Sequence, residues 1–405
     1  MLLFVLDEQH TFSYNSITSP IDFGKRICYD SEVISEKNAE GGKLMAQNIL
    51  TAESIWRAFE GSGRRHLILT GAKGSGKTTL LKALFPAGAP GLTSWAVPRQ
   101  AVFLRDNCSG EQVQAAVFDG RIPGPGNQMV LLEQPFLSFG IPALERCARA
   151  PAPWVTLDEI GYLEAQCGPY QQAIEALLEK KQVCAVVRKQ ELPFLTALCN
   201  RPDVFLVDLD DPFGALGCVI MASGLGRRFG GNKLLTDFGG KPLICSVLDA
   251  TQELFRHRVL VTRHPEVAAL GRERGIPAVL HDLPYRSDTV RLGLEALPEV
   301  ERCMFLAGDQ PKLRRETLAA LALASKNDPF FFWRPQWQGT PGAPVVFPQW
   351  SFPELLDLPQ GKGGGAVVQK YPERLKTVAV RDEYELKDVD TPEDLQALLE
   401  LISFP

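Results

Sequence analysis

The chain has 405 residues, enough for two or three domains that each bury a core. With 45% hydrophobic and 22% charged residues it is not of a disordered or fibrous class, and its net charge of −5 provides no field that would attract nucleic acid or an anionic membrane. Nine scattered cysteines without metal-site spacing, no signal-like start and no long apolar run lead us to expect free thiols, no membrane span and a cytoplasmic location.

The first 60 residues carry the weakest pattern. Within them, only LMAQNILTAESIWRAFE at 44–60 has apolar residues at helical spacing. We expect this helix to pack on the domain that follows. We therefore interpret 1–60 as an N-terminal lead-in segment, whose function the pattern does not indicate.

Residues 61–212 alternate between apolar runs and helical segments, which predicts a first α/β domain with a parallel sheet. Runs that are apolar throughout are typical of strands buried on both faces. Such runs lie at 66–70, 128–135, 153–160, 184–189 and 204–209. A helix is expected at 170–181.

The string GAKGSGKT at 71–78 fits the P-loop pattern G-x-x-x-x-G-K-[ST], and it stands between an apolar run and a helical segment. In such a loop the backbone N–H groups surround the phosphates of a nucleotide such as ATP or GTP. Lys77 reaches the β- and γ-phosphates, and the hydroxyl of Thr78 binds Mg²⁺. The predicted nucleotide-contacting residues are Gly71, Gly74, Gly76, Lys77, Thr78 and Thr79.

A P-loop also needs carboxylates for the metal and for the attacking water. WVTLDEIG at 154–161 places Asp158 and Glu159 at the end of an apolar run. We expect Asp158 to bind the metal and Glu159 to position the water as a catalytic residue. The alternative is a pair of surface acids that caps the next helix.

Three strings, GAKGSGKTTL, LDEIGYLE and VRKQELPFL, resemble the small P-loop nucleoside triphosphatases first known from thermophiles. The resemblance covers about 65–210. It implies slow hydrolysis of several nucleoside triphosphates to diphosphates.

An acidic stretch with proline and glycine, LVDLDDPFGALG at 206–217, separates these runs from a second alternating series. We therefore divide the chain between 212 and 213 and expect a second α/β domain over 213–405. Its apolar runs lie at 218–223, 259–262, 278–282, 302–309, 330–335, 345–348 and 376–380. The aromatic string FFFWRPQW at 330–337 is either core packing or a platform for a ring-shaped substrate.

A second glycine-rich run, VIMASGLGRRFGGNKLL at 219–235, is neither a P-loop nor a dinucleotide fingerprint, because no GK[ST] follows and the glycine spacing is wrong. Open N–H groups together with Arg227, Arg228 and Lys233 favour a triphosphate that is attacked at its α-phosphate. The alternative is a basic turn on the surface.

This run resembles the loop of the molybdopterin nucleotidyltransferases, in particular the molybdenum cofactor cytidylyltransferases, which have a Rossmann-like, glycosyltransferase-A-type fold. The resemblance extends over about 218–398 and includes FLAGDQP at 305–311, RSDTVRLGL at 286–294, GTPGAPVVF at 339–347 and KDVDTPEDL at 387–395. It implies nucleotide contacts from Ala222, Ser223, Gly224, Gly226, Arg228 and Lys233.

The resemblance also implies the chemistry. Arg228, Lys233 and Asp309 would be catalytic, Asp309 would hold Mg²⁺, and Asp390 with Asp388 would give a second metal contact, although Asp390 equally fits a helix N-cap. The segment 339–347 would line the acceptor pocket. The implied reaction transfers CMP from CTP to molybdopterin and releases pyrophosphate, with the NKLL string at 232–235 favouring cytidine.

Two alternatives stay open at this stage. The second domain could act on a sugar or alditol phosphate instead of molybdopterin. The first domain could be an NTP-driven chaperone that delivers the cofactor to a client such as a molybdenum hydroxylase.

Overall fold

The computed structural model describes residues 49–122 and 128–403. Most of the predicted lead-in segment, 1–48, lies outside this part of the chain. The helix expected at 44–60 is found as α1 (Ala52–Ser62), which begins after Thr51. The Thr51 hydroxyl accepts a hydrogen bond from the Ser54 amide, and Ser54 Oγ accepts one from the Thr51 amide. This reciprocal cap fixes the start of α1 after Thr51, and the part of the expected helix at 44–48 lies outside the described residues.

The first domain is built on one sheet. Its strands are β1 (His66–Thr70), β2 (Gly91–Val97), β3 (Ala101–Asp106), β4 (Gln112–Phe118), β5 (Met129–Leu131), β6 (Trp154–Ile160), β7 (Gln182–Val187) and β8 (Val204–Asp208). Its helices after α1 are α2 (Lys77–Leu84), α3 (Glu133–Pro135), α4 (Ile141–Arg149), α5 (Gly168–Lys180) and α6 (Pro193–Cys199).

The strand order among the described residues is β5-β4-β3-β2-β6-β7-β1-β8. The neighbouring pairs β2–β6, β6–β7, β7–β1 and β1–β8 are parallel, as the apolar runs predict. The part of the sheet formed by β2, β3, β4 and β5 is antiparallel, and this edge is an addition that the predicted parallel sheet did not include. Strands β2 and β4 mix buried residues with half-buried and exposed ones, and such strands lack the continuous apolar run that marks a central strand.

The second domain has its own sheet. Its strands are β9 (Leu216–Ala222), β10 (His257–Thr262), β11 (Ala278–Leu280), β12 (Arg302–Ala307), β13 (Phe332–Trp337), β14 (Thr340–Pro341), β15 (Val345–Pro348) and β16 (Leu375–Ala379). Its helices are α7 (Ile244–Ala250), α8 (Pro265–Glu273), α9 (Arg286–Glu295), α10 (Arg315–Asn327), α11 (Phe352–Leu356), α12 (Gly365–Val368) and α13 (Pro392–Ser403).

This sheet has the order β11-β10-β9-β12-β15-β13-β14 in the described part of the chain, with β16 paired to β13. The pairs β11–β10, β10–β9 and β9–β12 are parallel. Strand β15 is antiparallel to both β12 and β13. Phe332 and Trp333 have no exposed surface, so these two residues of the 330–337 string belong to the core. The two-domain α/β class is confirmed. We retain the boundary between 212 and 213 as a proposal, and it falls between the last strand of one sheet and the first of the other.

Helix α1 joins the two domains. It packs against α2 of the first domain and against α10 and β16 of the second. The buried guanidinium of Arg57 donates to the Ala379 carbonyl oxygen at 2.7 Å and to Thr317 Oγ1 at 2.8 Å. One buried apolar cluster contains both Phe205 of the first sheet and Val378 of the second. The two domains therefore share part of their core.

Eight cysteines lie among the described residues, and all of them are free thiols. In the same residues, no helix combines the length and the apolar character that crossing a bilayer requires.

Candidate functional site

The P-loop follows β1 at the carboxyl edge of the first sheet, and α2 begins at Lys77. The positive φ angles of Gly74 and Gly76, 80° and 93°, are favourable only for glycine. The ammonium of Lys77 donates to the carbonyl oxygens of Gly71 and Ala72, both at 2.8 Å. Burial lowers the pKa of Lys77. The lysine thus lies folded over its own loop, close to where phosphates would bind.

Asp158 lies beside this loop although it is 80 residues away in sequence. Its Oδ1 accepts a hydrogen bond of 3.0 Å from Thr78 Oγ1, and only 7% of the residue is exposed. A buried carboxylate bonded to the P-loop hydroxyl does not fit the alternative of a surface cap. Burial raises the pKa of Asp158, and the bond from Thr78 opposes that rise.

Glu159 forms an ion pair that the sequence analysis missed. Arg188 Nε lies 2.6 Å from Glu159 Oε1. Arg188 directly follows β7, and the available signal was a cation at the end of the apolar run CAVV. The two side chains line a cavity of about 960 Å³ that also contains Thr78 and Asp158.

A fully buried carboxylate supports the turn after β6. Glu164 Oε2 accepts a hydrogen bond of 2.7 Å from the amide of Gly161. Burial raises the pKa of Glu164 to about 7. The Glu164 side chain, which had no predicted role, therefore stabilises the backbone that follows Asp158 and Glu159.

The second loop follows β9 at the carboxyl edge of the second sheet. Gly226 has a φ of 59°, and a Cβ there would lie 2.0 Å from the Gly231 carbonyl oxygen, so only glycine lets the loop close. The amides of Phe229 and Gly230 both donate to the Gly226 carbonyl at 3.0 Å.

Two histidines that the sequence analysis did not select hold the start of this loop. His281 Nε2 lies 2.7 Å from Ser223 Oγ, and His264 Nε2 lies 3.0 Å from the Gly224 carbonyl oxygen. Burial lowers the pKa of His281, and the nearby charge of Arg263 acts in the same direction. The neutral imidazole is thus the form that contacts Ser223 at neutral pH.

Lys233 brings together two of the predicted acids. Its Nζ lies 2.7 Å from Asp309 Oδ2 and 2.9 Å from Asp390 Oδ1, and its side chain is 10% exposed. Burial alone would lower the pKa of Lys233, but its bonds to Asp309 and Asp390 raise it. Arg228 pairs with Asp390 Oδ2 at 2.9 Å and is 77% exposed. The loop and the two acids, far apart in sequence, form one site.

A third carboxylate, Asp388, lies in the same cavity. Burial raises its pKa to about 6, and the charges of Asp309 and Asp390 add to the rise. Helix α13 is capped by Thr391, whose Oγ1 accepts a hydrogen bond of 3.2 Å from the Asp394 amide. Because Thr391 caps the helix, Asp390 is free to contact Lys233.

The cavity at this second site has a volume of about 570 Å³. Residues of three kinds line it: the loop residues Ser223, Gly224, Gly226, Arg227, Arg228 and Lys233; the acids Asp309, Asp388 and Asp390; and the wall residues Arg263, Tyr285, Arg286 and Thr289. The segment 339–347, expected to line the acceptor pocket, contains β14, which forms a hairpin with β13, and the start of β15. Among the described residues, none from this segment lines the cavity.

The predicted metal-binding residues can be compared with the needs of Mg²⁺. Across 49–122 and 128–403 there is no group of three or more His, Cys, Asp or Glu side chains with metal-cage geometry. Mg²⁺ is usually bound through one or two carboxylates together with waters and substrate phosphates. The Thr78 and Asp158 oxygens, and Asp309 with Asp390, fit that kind of site.

Comparisons with known proteins match the two halves separately. Residues 104–212 match the NTPase family, and residues 218–376 match the family described as the MobA-like NTP transferase domain. The predicted two-part resemblance is thereby confirmed. The match to the first family begins after the P-loop.

Named relatives are similar to each half. The nucleoside-triphosphatase THEP1 of Thermotoga maritima is 29% identical over 154 residues, which are 36% of this chain and 86% of the relative. A probable molybdenum cofactor guanylyltransferase of Bacillus licheniformis is 35% identical over 107 residues, 25% of this chain and 53% of the relative. The chain therefore spans about half the length of that guanylyltransferase.

Solved structures are also similar. Rv0371c of Mycobacterium tuberculosis H37Rv has 24% identity and a TM-score of 0.41, and the similarity covers 46% of this chain and 98% of that one. THEP1 of Aquifex aeolicus has 22% identity and a TM-score of 0.32, with 36% and 89% covered.

Proposed function

We propose that this chain, an NTPase-family domain followed by a MobA-like NTP transferase domain, carries out two nucleotide reactions at two separate sites. The second domain transfers a nucleotide from a triphosphate to the terminal phosphate of molybdopterin and releases pyrophosphate. The first domain binds a nucleoside triphosphate and hydrolyses it. The observation that supports the transfer reaction best is Lys233 between Asp309 and Asp390 at the mouth of a glycine loop.

The transfer needs cations on the leaving pyrophosphate and carboxylates for the metal. An oxygen of the acceptor phosphate attacks the α-phosphorus, and the bond from that phosphorus to the bridging oxygen of pyrophosphate breaks. Lys233 and Arg228 are the cations that can neutralise the charge developing on pyrophosphate. Bound Mg²⁺ would supply a Lewis acid for the phosphate oxygens, and Asp309 and Asp390 would hold it.

The resting ion pairs give this reaction an order. Before substrate binds, Lys233 and Arg228 are neutralised by Asp309 and Asp390. A triphosphate that enters with a divalent cation lets the cation take the carboxylates and the basic side chains take the phosphates. The charge of the site is thus balanced both with and without substrate, which keeps the buried ammonium paired throughout.

The transferred nucleotide is proposed to be CMP, because the NKLL string of the loop resembles the cytidine-using group. GMP is the second candidate, and the similarity to a probable guanylyltransferase favours it. A sugar or alditol phosphate is the alternative acceptor.

Hydrolysis in the first domain uses the P-loop and the two acids of β6. Lys77 and the loop amides hold the phosphates, and Thr78 with Asp158 would hold Mg²⁺. Glu159 orients the attacking water. Delivery of the product to a molybdenum hydroxylase, with hydrolysis as the timing step, is the alternative role of this domain. It predicts nucleotide-dependent association with that client, whereas a plain hydrolase shows none.

The test separates the two reactions by their products. The purified protein is incubated with Mg²⁺, with or without molybdopterin, and with CTP, GTP, ATP or UTP, and pyrophosphate and phosphate are measured separately. We expect pyrophosphate only when molybdopterin and one preferred nucleotide are both present. We expect phosphate release without molybdopterin.

Two variants serve as controls for each other. Asp309→Asn should abolish pyrophosphate release and leave phosphate release intact, and Lys77→Ala should do the opposite. Pyrophosphate release that needs Lys77 rather than Asp309 would contradict the assignment of the transfer to the second domain. Phosphate release alone, lost in Lys77→Ala, would leave hydrolysis as the only reaction and direct the search to sugar phosphates.

A further inference from the structure

Strand order places Arg188 next to the P-loop. In the first sheet β7 lies between β1, which leads into the P-loop, and β6, which carries Asp158 and Glu159. All three strands are parallel, and Val186 of β7 is level with Leu69 on one side and with Asp158 on the other. The residues that follow these strands therefore meet at one edge. Arg188 emerges there between the phosphate-binding loop and the two acids.

The local contacts direct the Arg188 side chain into the cavity. A Cβ on Gly161 would lie 2.9 Å from Arg188 Cδ, so the lack of a side chain at Gly161 makes room for the Arg188 side chain. Arg188 and Glu159 both line the cavity that contains Thr78. About 37% of the Arg188 side chain is exposed, so an incoming phosphate can reach it.

The charges around Arg188 favour its transfer from Glu159 to a bound phosphate. Its partner Glu159 accepts a 2.6 Å bond from Arg188 Nε and a weaker 3.4 Å bond from Nη2. A γ-phosphoryl group held by Lys77 and Thr78 would bring greater negative charge to the same edge. The planar guanidinium has donors for two phosphate oxygens, and its charge does not depend on pH in the working range.

We propose that Arg188 is a catalytic residue of the first domain, an arginine supplied by the chain itself that contacts the γ-phosphoryl group during hydrolysis. This inference rests on the proposed function of that domain. The oxygen of the attacking water forms the new bond to the γ-phosphorus, the bond from that phosphorus to the bridging oxygen breaks, and its electrons leave with the diphosphate. The water proton passes to Glu159 and then to solvent, while Arg188 stabilises the charge on the transferring group.

The resting ion pair then acts as a latch for both catalytic groups. With Arg188 bound to Glu159, the carboxylate is engaged and does not hold a water for attack. Transfer of Arg188 to the γ-phosphoryl group frees Glu159 at the moment when the substrate is in place. Glu159 therefore becomes available for the attacking water only after Arg188 has moved to the γ-phosphoryl group.

The experiment compares Arg188→Ala and Arg188→Lys with the wild-type chain in steady-state hydrolysis. Arginines that act in this way contribute about 10³–10⁵ in kcat, so we expect Arg188→Ala to lower kcat by at least about 10³ while KM changes less than about tenfold. Arg188→Lys keeps the charge and loses the planar fork, and should recover only part of the rate. Added guanidinium ion should partly restore Arg188→Ala and have no such effect on the wild type.

The matched control is Arg201→Ala. Arg201 is also ion-paired, to Asp203 and Glu179, but it lies outside the cavity. The Arg201→Ala chain should hydrolyse nucleoside triphosphate at the wild-type rate. A binding measurement adds a readout independent of turnover: Arg188→Ala should retain its affinity for the diphosphate and lose the extra affinity for the diphosphate with aluminium fluoride, which imitates the transferring group.

Three results would overturn the inference. One is an Arg188→Ala kcat equal to that of Arg201→Ala, and another is a raised KM with unchanged kcat, which would mark a purely binding role. The third is an Arg188→Ala chain that fails to fold while Arg188→Lys, correctly folded, hydrolyses at the full rate. A wild-type chain that binds nucleotide but releases no phosphate would refute proposed hydrolysis itself, and the inference with it.

Discussion

Replacing Lys233 should destabilise the second domain more than replacing Arg228, although both cations come from one loop and both pair with Asp390. The structure distinguishes them by burial and by the number of partners. Lys233 is 10% exposed and bonds two carboxylates, whereas Arg228 is 77% exposed and bonds one. Lys233→Met removes the charge and keeps most of the apolar stem.

The magnitude follows from the contacts. A hydrogen bond to a charged group contributes about 1.5–3 kcal/mol, and exposed ion pairs contribute about 0–1 kcal/mol. Because Asp390 is 43% exposed, water compensates for most of that bond, and the cost of Lys233→Met comes chiefly from Asp309. We expect a loss of about 2–3 kcal/mol for Lys233→Met and less than about 1 kcal/mol for Arg228→Met.

Thermal unfolding of the full chain measures the difference. With about 2–4 °C per kcal/mol for a domain of this size, Lys233→Met should lower Tm by about 4–12 °C and Arg228→Met by less than about 4 °C. Added Mg²⁺ should narrow the gap, because a cation can replace the missing ammonium among the three acids. Equal shifts for the two variants, or a higher Tm for Lys233→Met, would refute the reasoning.

The remaining predictions concern the domain contact, the loop and the titration of the site. Arg57→Ala should lower the free energy of unfolding by about 3–5 kcal/mol, because it leaves buried partners without a donor. The exposed Arg149→Ala should leave it almost unchanged, and chemical denaturation measures both. Gly226→Ala should abolish pyrophosphate release because its Cβ would meet a backbone oxygen at 2.0 Å, whereas Gly231→Ala, which has open space, should retain it. Asp388 has a raised pKa of about 6. The folded state holds the Asp388 proton more tightly than the unfolded state, so the free energy of unfolding falls as pH rises from about 4 to about 6, and the full cost persists above about 6. Asp388→Asn should therefore be more stable than wild type at pH 8 and equal to it at pH 4 in paired unfolding curves.

Local patterns were sufficient for the two phosphate loops and for most strands. The P-loop, the second loop and the apolar runs around them each lie within a few consecutive residues, and backbone geometry acts over that range. A glycine such as Gly226 is required by a turn that closes on itself within five residues, so the requirement is visible in the sequence. The α/β class follows because a strand buried on both faces needs apolar residues throughout.

The antiparallel edge of the first sheet was missed for the opposite reason. Strands β2 and β4 do not lie in the middle of a parallel layer, and they interrupt their apolar residues with polar ones, so no continuous run marks them. Their assignment depends on pairing with one another. The same holds for the segment 339–347, whose place on a hairpin away from the cavity depends on how the second sheet is paired.

By itself the sequence determined where the two glycine-rich loops lie and which elements flank them, because such loops are local structures made by consecutive backbone groups. Only the tertiary structure decided which side chains meet there. Lys233 contacts Asp390 across 157 residues, and Arg188 reaches Glu159 because β7 lies beside β6. Strand order sets these contacts, and strand order results from the packing of the whole core.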